Sequence, residues 1–524
     1  MFRKFLLAAV VIALSFNSVF SEEPSRLELS LQEALGFAMQ NNFDISLNRI
    51  QHQESEFSLK SARGIYDPSL SFTLNSAVDR QPTTSVLQAG GGLSAYMSRQ
   101  DHYGLGLYQL SPWGQTFSLD WSSTRSRSNS SYSLYNPTYS SDLSLSTSIP
   151  LLKGFGVTPT NRYLLKAKLD RQAADSTYSR LLRDSLSDVE SSYWNLVYAR
   201  EQLLVTSKAL EIAKEFQKET AARISVGTLA PIEKVSADAQ VASREEDLIS
   251  AQSLVENSED ILKVVLGIRK DNPEWNMTIV PTDLPDVAEA ATEEEAAIEA
   301  ALVKRDEIKE LELALEKSRV DTKSARSDML PTLTLDGMLK YNGSAGDYYM
   351  DHPVFFVDQD FHDAWDQVTD RDYKSWAVGL NFRIPIGNRT QRFIYQNYRL
   401  AQNAAEISLE KTRQNIISEV RSSLRNVRNA EKRIAAAEAN LRLQKEKLDA
   451  EKKKYDNGLS TSFNVLSYQN DMLAAETSLL KAKIDHQLAL SALERAEGRY
   501  LEARGIVLDV PLYGQEKKEN KNAE

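Results

Sequence analysis

The chain has 524 residues and predicts a mainly α protein with two β regions, built as a duplicated unit of long coiled-coil helical hairpins plus antiparallel strands. Three observations predict it. Apolar residues keep helical spacing over more than 60 residues, from about Asn161 to Ser225, whereas an average globular helix has roughly 11–12. Two other regions alternate apolar and polar residues with a period of two, the spacing of a strand with one buried face. Finally, the order helix, strands, helix, turn, helix occurs twice, with matching residues at constant offsets.

Residues 1–21 read as a secretory signal, with Arg3 and Lys4 ahead of the apolar run Phe5–Phe16 and small residues up to Ser21. The first helix is expected over 27–66, where Leu31, Ala34, Leu35 and Ala38 share a face. It ends before Asp67-Pro68 because proline disfavours helix at the residue before it. Over 69–150 the period changes. Leu70, Phe72 and Leu74 alternate with Ser and Thr, and Tyr103–Leu110, Thr116–Ser126 and Asp142–Ile149 alternate likewise. Ala89–Gly92 and Ser126–Asn136 are the loops between them. The aromatics Tyr103, Tyr108, Trp113, Phe117 and Trp121 gather here, as core in a soluble sandwich or as girdles in a transmembrane barrel.

Residues 158–266 form the first hairpin. Leu182, Leu186, Val189, Tyr193, Leu196, Leu203 and Leu210 are spaced 4, 3, 4, 3, 7 and 7, a heptad seam that makes helices supercoil. Its tip is Arg223–Ala239, where Gly227 suits a helix C-terminus and Pro231 the first turn of the next helix. Residues 268–292 are a mid-chain linker broken by Pro273, Pro281 and Pro285, with a short strand expected at Trp275–Val280. An acidic run, Glu289–Glu299, then starts a new helix.

Residues 293–498 repeat the plan of 22–267, as helix 293–330, β region 332–385 and hairpin 390–497. Ala34, Ala62, Arg63 and Pro68 match Ala297, Ala325, Arg326 and Pro331 at an offset of 263. Ile149 and Pro150 match Ile384 and Pro385 at 235. Val189, Leu196, Gly227 and Gly267 match Val420, Val427, Gly458 and Gly498 at 231. The first β region is the longer by an extra hairpin at Tyr103–Ser126, which reads equally as extracellular loop or as added strands. Residues 499–524 form a C-terminal tail, partly disordered by composition, in which Gly505–Val510 is a candidate strand to pair with Trp275–Val280.

At ~1.5 Å per residue the helix from Asn161 to Gly227 is roughly 100 Å long and its return helix about 54 Å. Each half supplies one more helix of the shorter size, so two short helices stacked end to end match one long one. The expected rod has strands at one end and the two turns at the other.

Composition removes several functions. There is no cysteine, hence no disulfide, thiolate nucleophile or thiolate metal site. Without residues 1–21 the chain carries 60 basic and 73 acidic groups, a net −13 that argues against nucleic acid. No cofactor or catalytic residue is expected, because the five histidines are scattered and no nucleophile–base pair or phosphate loop occurs. His352 and His362 lie with Asp347, Asp351, Asp358 and Asp360 in one segment that reads as hydrated loop rather than metal site. No later stretch approaches a membrane helix, so a membrane role requires a closed β-barrel.

Taken together, Leu31–Asn42, Ala62-Arg63 with Pro68, Ala325-Arg326 with Pro331, Ile149-Pro150, Ile384-Pro385, Val226-Gly227-Thr228 and Tyr455–Leu459 resemble the TolC family of outer-membrane efflux proteins, over about residues 27–510. The resemblance implies a homotrimeric α/β-barrel tunnel. Four strands per chain would close a transmembrane β-barrel of twelve strands among the outer membrane lipids, continued by a periplasmic helical tunnel for efflux or type I secretion. It also implies partners: a periplasmic adaptor (membrane fusion) protein and an inner-membrane RND or ABC transporter. The adaptor-binding tips would be Val226, Gly227, Thr228, Leu229, Asn457, Gly458, Leu459 and Ser460. Asn464 and Ser467 stand where some relatives carry acidic residues at the periplasmic entrance constriction, and Ser460 where some carry a basic one. An anionic ring and a lock through residue 460 therefore do not carry over. The rival architecture is a periplasmic coiled-coil adaptor or scaffold.

Overall fold

The computed structural model describes residues 26–84, 94–130, 133–285, 293–351 and 354–507. The signal segment, the Ala89–Gly92 loop, the start of the acidic run, His352 and residues 508–524 lie outside the described residues. The chain divides into two compact units.

The first unit comprises the described residues within 26–49, 178–305 and 414–507. Strand β1 (Arg26–Leu29) pairs in parallel with β6 (Thr278–Pro281). The linker strand thus has the N-terminal segment as a partner; of the expected strand Gly505–Val510, residues 505–507 form no strand and residues 508–510 lie outside the described residues. Leu29 and Ile279 are both buried in one core, and the Tyr193 hydroxyl holds the Leu29 carbonyl (3.1 Å) and the Asp283 carboxylate (2.8 Å). Ahead of Gly505 the chain makes a short helix at Tyr500–Ala503, where buried Tyr500 donates to the Leu186 carbonyl (3.0 Å) and the Glu190 carboxylate (2.7 Å).

Helix 27–66 is two helices, α1 (Leu31–Asn41) and α2 (Phe43–Arg63), broken at Asn42. A capping box of Ser30 and Glu33 starts α1. Helix 293–330 is likewise α5 (Glu294–Lys304) and α6 (Asp306–Asp328), broken at Arg305. The two breaks lie 263 residues apart, the offset of the duplication. Their cause lies in the short return helices, α4 (Ile232–Leu266) and α9 (Ser462–Ala496), which end at the break points. Asn42 Nδ2 donates to the Val265 carbonyl (2.6 Å), and Arg305 Nη1 to the Ala496 carbonyl (3.2 Å), so each break residue satisfies a free carbonyl at a helix end.

The long helices are α3 (Arg162–Ser225, 64 residues) and α8 (Arg389–Asp456, 68 residues). Leu182, Leu186, Val189, Tyr193, Leu196 and Leu210 of the heptad seam are buried, as are Val420, Val427 and Ile434 in the second copy.

The second unit comprises, among the described residues, Ile50–Thr177 and Asp306–Arg413. Its centre is one six-stranded antiparallel sheet of β2 (Ser69–Pro82), β3 (Ala95–Leu110), β4 (Thr116–Ser128), β5 (Thr138–Pro150), β7 (Thr332–Gly346) and β10 (Lys374–Arg383), in the order β10-β7-β5-β4-β3-β2. The expectation of four strands per chain is thereby corrected to six. The added hairpin β3–β4 belongs to the sheet and is not loop, because it pairs along its length with β2 and β5. Its turn also lies at the end where the long helix starts, with Asn161 Nδ2 donating to the Pro112 carbonyl (3.0 Å). The second half carries a small hairpin, β8 (Tyr348–Asp351) with β9 (Val354–Val357), and helix α7 (Phe361–Thr369) in the corresponding place.

Candidate functional site

Two features of the fold bear on function: the two faces of the sheet and the two hairpin tips. Pairing places Leu70, Leu107, Leu119, Leu145, Leu339 and Trp376 in one row across all six strands. Alternation puts Phe72, Leu105, Trp121, Leu143, Leu335, Val378 and Leu380 on the same face. Tyr103, Trp121, Tyr341 and Trp376 place aromatic rings on the same face of four of the strands. Leu70, Phe72 and Leu74 are 61–70% exposed, and Trp376, Val378 and Leu380 at the other edge 68–72%. The opposite face holds Ser71, Thr73, Gly104, Gly106, Ser118, Ser144, Ser146 and Asn381. Its charges are Asp79, Asp120, Asp142 and Asp336 against Lys340 and Arg383, with Lys340 paired to Asp142 at 2.9 Å. A sheet apolar on one side and polar on the other, with most of the apolar side uncovered by the described residues, is how a barrel wall meets lipid and water.

Helix α7 covers the apolar face at the end away from the long helices. Phe361 and Trp365 each meet Trp121 edge-on at 6.2 Å. Its backbone comes so close that a Cβ on Gly343 would lie 1.9 Å from the Ala364 carbonyl oxygen. The Asp360 carboxylate, weighed in the sequence as a metal ligand, accepts from the His362 N–H (2.7 Å) and caps this helix. Among the described residues no cluster of His, Asp and Glu has the form of a metal site.

The tips are built alike. Gly227 (φ 76°) and Gly458 (φ 74°) take the left-handed conformation that only glycine adopts without cost. Gly227 N–H donates to the Ile224 carbonyl (3.0 Å) and Thr228 N–H to that of Arg223 (3.0 Å). Gly458 N–H donates to the Tyr455 carbonyl (3.0 Å) and Leu459 N–H to that of Lys454 (2.9 Å). Both turns are Schellman motifs. Val226 and Leu459 project into solvent, 73% and 79% exposed. Thr228, Asn457, Asn464 and Ser467 are exposed as well, while Leu229 packs against a core of Phe216, Ala237, Leu448, Tyr455, Val465 and Leu466 just behind the turns.

The structure brings the tips together through residues of the tip segments to which the sequence assigns no role. Arg223, on the first hairpin, pairs with Asp456 on the second (2.9 Å), is braced by Glu219 (2.5 Å) and lies over the Tyr455 ring at 4.9 Å. Burial pulls the Arg223 pKa down, but the Asp456 bond and the Glu219 charge outweigh it, and the guanidinium is held more firmly charged than usual. Glu233 accepts from the buried Ser462 hydroxyl across the same boundary. Ser460 donates to Glu451 (2.5 Å), and this bond, with Lys454, keeps the Glu451 carboxyl below its ordinary range. Asn464 Nδ2 reaches only the Ser460 hydroxyl (3.3 Å). Ile232 and Phe463, at matching positions of the two copies, are 65% and 74% exposed beside the turns. Their signal in the sequence was an apolar residue off the packed seam.

Known proteins share this fold. The sequence profile of the outer membrane efflux protein family matches residues 111–268 and 297–499, more than half of the chain. Outer membrane protein TolC of Vibrio cholerae is 24% identical over 266 residues, 50% of this chain and 55% of that protein, so the match spans about half the length of the curated relative. The solved outer-membrane channel OprN has a TM-score of 0.66 at 17% identity, covering 89% of each chain. The CmeC outer membrane channel of Campylobacter jejuni has a TM-score of 0.65 at 17% identity, covering 90% of this chain and 86% of its own. By profile and by fold, the chain belongs to the outer membrane efflux protein family.

Proposed function

We propose that this chain is a bacterial outer-membrane channel-tunnel for efflux or type I secretion. Three copies pass substrates from an inner-membrane transporter, of RND or ABC type, across the periplasm and the outer membrane. The observation that carries this reading is the sheet with one bare apolar face and one polar face in a member of this family. The scaffold reading gives no reason for that apolar face. The test is light scattering of the detergent-extracted protein followed by planar-bilayer conductance. A trimer with discrete, long-lived steps is expected; a detergent-independent species without conductance would overturn the reading.

The tips are the docking surface for a periplasmic adaptor. Val226, Gly227, Thr228 and Leu229 form the first and Asn457, Gly458, Leu459 and Ser460 the second, with Ile232 and Phe463 extending the apolar surface. Asn464 and Ser467 line the entrance. The Arg223–Asp456–Tyr455 contact holds the two hairpins of one chain together, and adaptor binding loosens it, since a helix bundle with two packings switches when a ligand prefers one. Binding of the adaptor to Gly227→Trp and Gly458→Trp variants checks the docking role, and unchanged affinity in both would sink it. The acidic excess on the polar face favours cations in the lumen; anion preference in bilayers would reject that.

A further inference from the structure

We infer that β2 of one copy pairs with β10 of the next, and that three copies thereby close a barrel of eighteen strands rather than twelve. The inference rests on the trimeric channel reading above and adds the identity of the joint and the width of the pore.

Both edges of the six-stranded sheet end in strands whose every residue is exposed. Bare edges of this length are aggregation templates unless another strand covers them. Several properties suit each edge to the other. The six strands alternate in direction, so β2 and β10 run opposite ways and a head-to-tail joint continues the antiparallel pattern. Such a joint uses two different surfaces of each copy, which is how rings close. The apolar rows on β2 and β10 belong to one face, so the joint leaves the lipid-facing surface unbroken.

The register fixes the tilt. The row through Leu70 reaches Trp376 on β10. Laying all ten residues of β10 flush on the start of β2 sets Leu70 opposite Phe382, six positions further along, with Ser71 opposite Asn381 and Phe72 opposite Leu380. Six residues at ~3.3 Å over six strands at ~4.8 Å give a strand tilt of about 35°, within the 35–45° of membrane barrels. At that tilt the backbone ring is about 34 Å across for eighteen strands and about 22 Å for twelve, the difference between a wide porin-like lumen and a narrow one.

The absence of cysteine makes the test clean. The double variant Ser71→Cys/Asn381→Cys, oxidised in membranes, is expected to give a covalent trimer on non-reducing gels, which neither single variant gives. Strands counted by electron microscopy of the unmodified protein in nanodiscs are expected to number eighteen. A conducting trimer of twelve strands, with residues 95–128 outside the wall, would overturn the inference while leaving the channel reading intact. A conducting trimer without the cross-link would overturn the joint. Loss of trimer and conductance together would overturn the channel reading itself.

Discussion

The return helices of the two halves are each 35 residues long, and the long helices before them have 64 and 68. The β regions between them differ far more: the first half adds a pair of strands to the sheet, the second a small hairpin and a helix against its face. The contrast has a simple cause. One residue inserted in a helix rotates everything beyond it by about 100° and ruins a heptad seam. A hairpin inserted in an antiparallel sheet adds two strands and leaves the direction of every other strand unchanged. Duplicated helices therefore stay in step while duplicated sheets are free to diverge.

Making the first half like the second is the most severe way to break this comparison. Removing residues 95–128 and joining β2 to β5 by a short turn brings antiparallel neighbours together. The shortened channel is expected to remain trimeric with a lumen area of roughly 40% of the original, by the ring sizes of eighteen and twelve strands. Single-channel conductance, measured with the tips opened by Arg223→Ala, reads it.

A smaller change tests the two junctions. Gly267 and Gly498 are equivalent and both have positive φ. A Cβ on Gly267 would stand 2.3 Å from the Asn41 carbonyl oxygen, whereas one on Gly498 would stand 3.1 Å from Lys304 Cβ. Gly267→Ala is expected to cost about 2–4 kcal/mol, strain plus clash, and Gly498→Ala only about 1–2 kcal/mol, chiefly strain. Urea unfolding of the two variants side by side checks the order.

The tips give a third comparison. Arg223 reaches the other hairpin; Lys454, at the matching position of the second copy, pairs only with Glu451 one turn away (3.3 Å). Arg223→Ala is expected to release about 1 kcal/mol of tip contact, raising the open population about five-fold, because an exposed ion pair and a cation–π contact are each worth about 0.5–1 kcal/mol. Lys454→Ala is expected to leave resting conductance unchanged. Equal effects would show that the asymmetry of the tips has no bearing on gating.

The smallest expected effect is a pH dependence. Glu494 and Lys263 occupy matching positions with opposite charge. Burial raises the Glu494 carboxyl above its ordinary range, against the pull of Arg504 at 2.8 Å. A raised carboxyl binds its proton more tightly in the folded chain. Its contribution to stability is therefore present below the ordinary glutamate pKa of about 4.3 and is lost as pH rises through the folded value. Glu494→Gln is expected to flatten that part of the stability–pH curve, read as thermal midpoints between mildly acidic and neutral pH.

What the sequence carried and what it hid follow from the range of the interactions. The long helices, both tip glycines and the duplication were legible because periodicity and φ preference are local. The breaks at Asn42 and Arg305 were not, since neither residue is a helix breaker and each break is set by a carbonyl on another helix. The β3–β4 hairpin was ambiguous because Leu105, Leu107 and Leu119 alternate identically in a loop or a wall. Asp456 as the partner of Arg223 was invisible because the two stand 233 residues apart and belong to different helices.

The pairing of β5 with β7 joins Leu145 to Leu339, across a whole helical hairpin of sequence. Strands β2 to β5 form a local meander, and β7 with β10 pairs within one half, so each can assemble as soon as its residues are available. The central joint must wait until the intervening hairpin has closed, since long loops delay the contacts they enclose. A newly exported chain therefore passes through a stage with two separate sheets and four open edges. That stage is its greatest exposure to aggregation, and the point at which a chaperone that shields strand edges would most change the yield of channels.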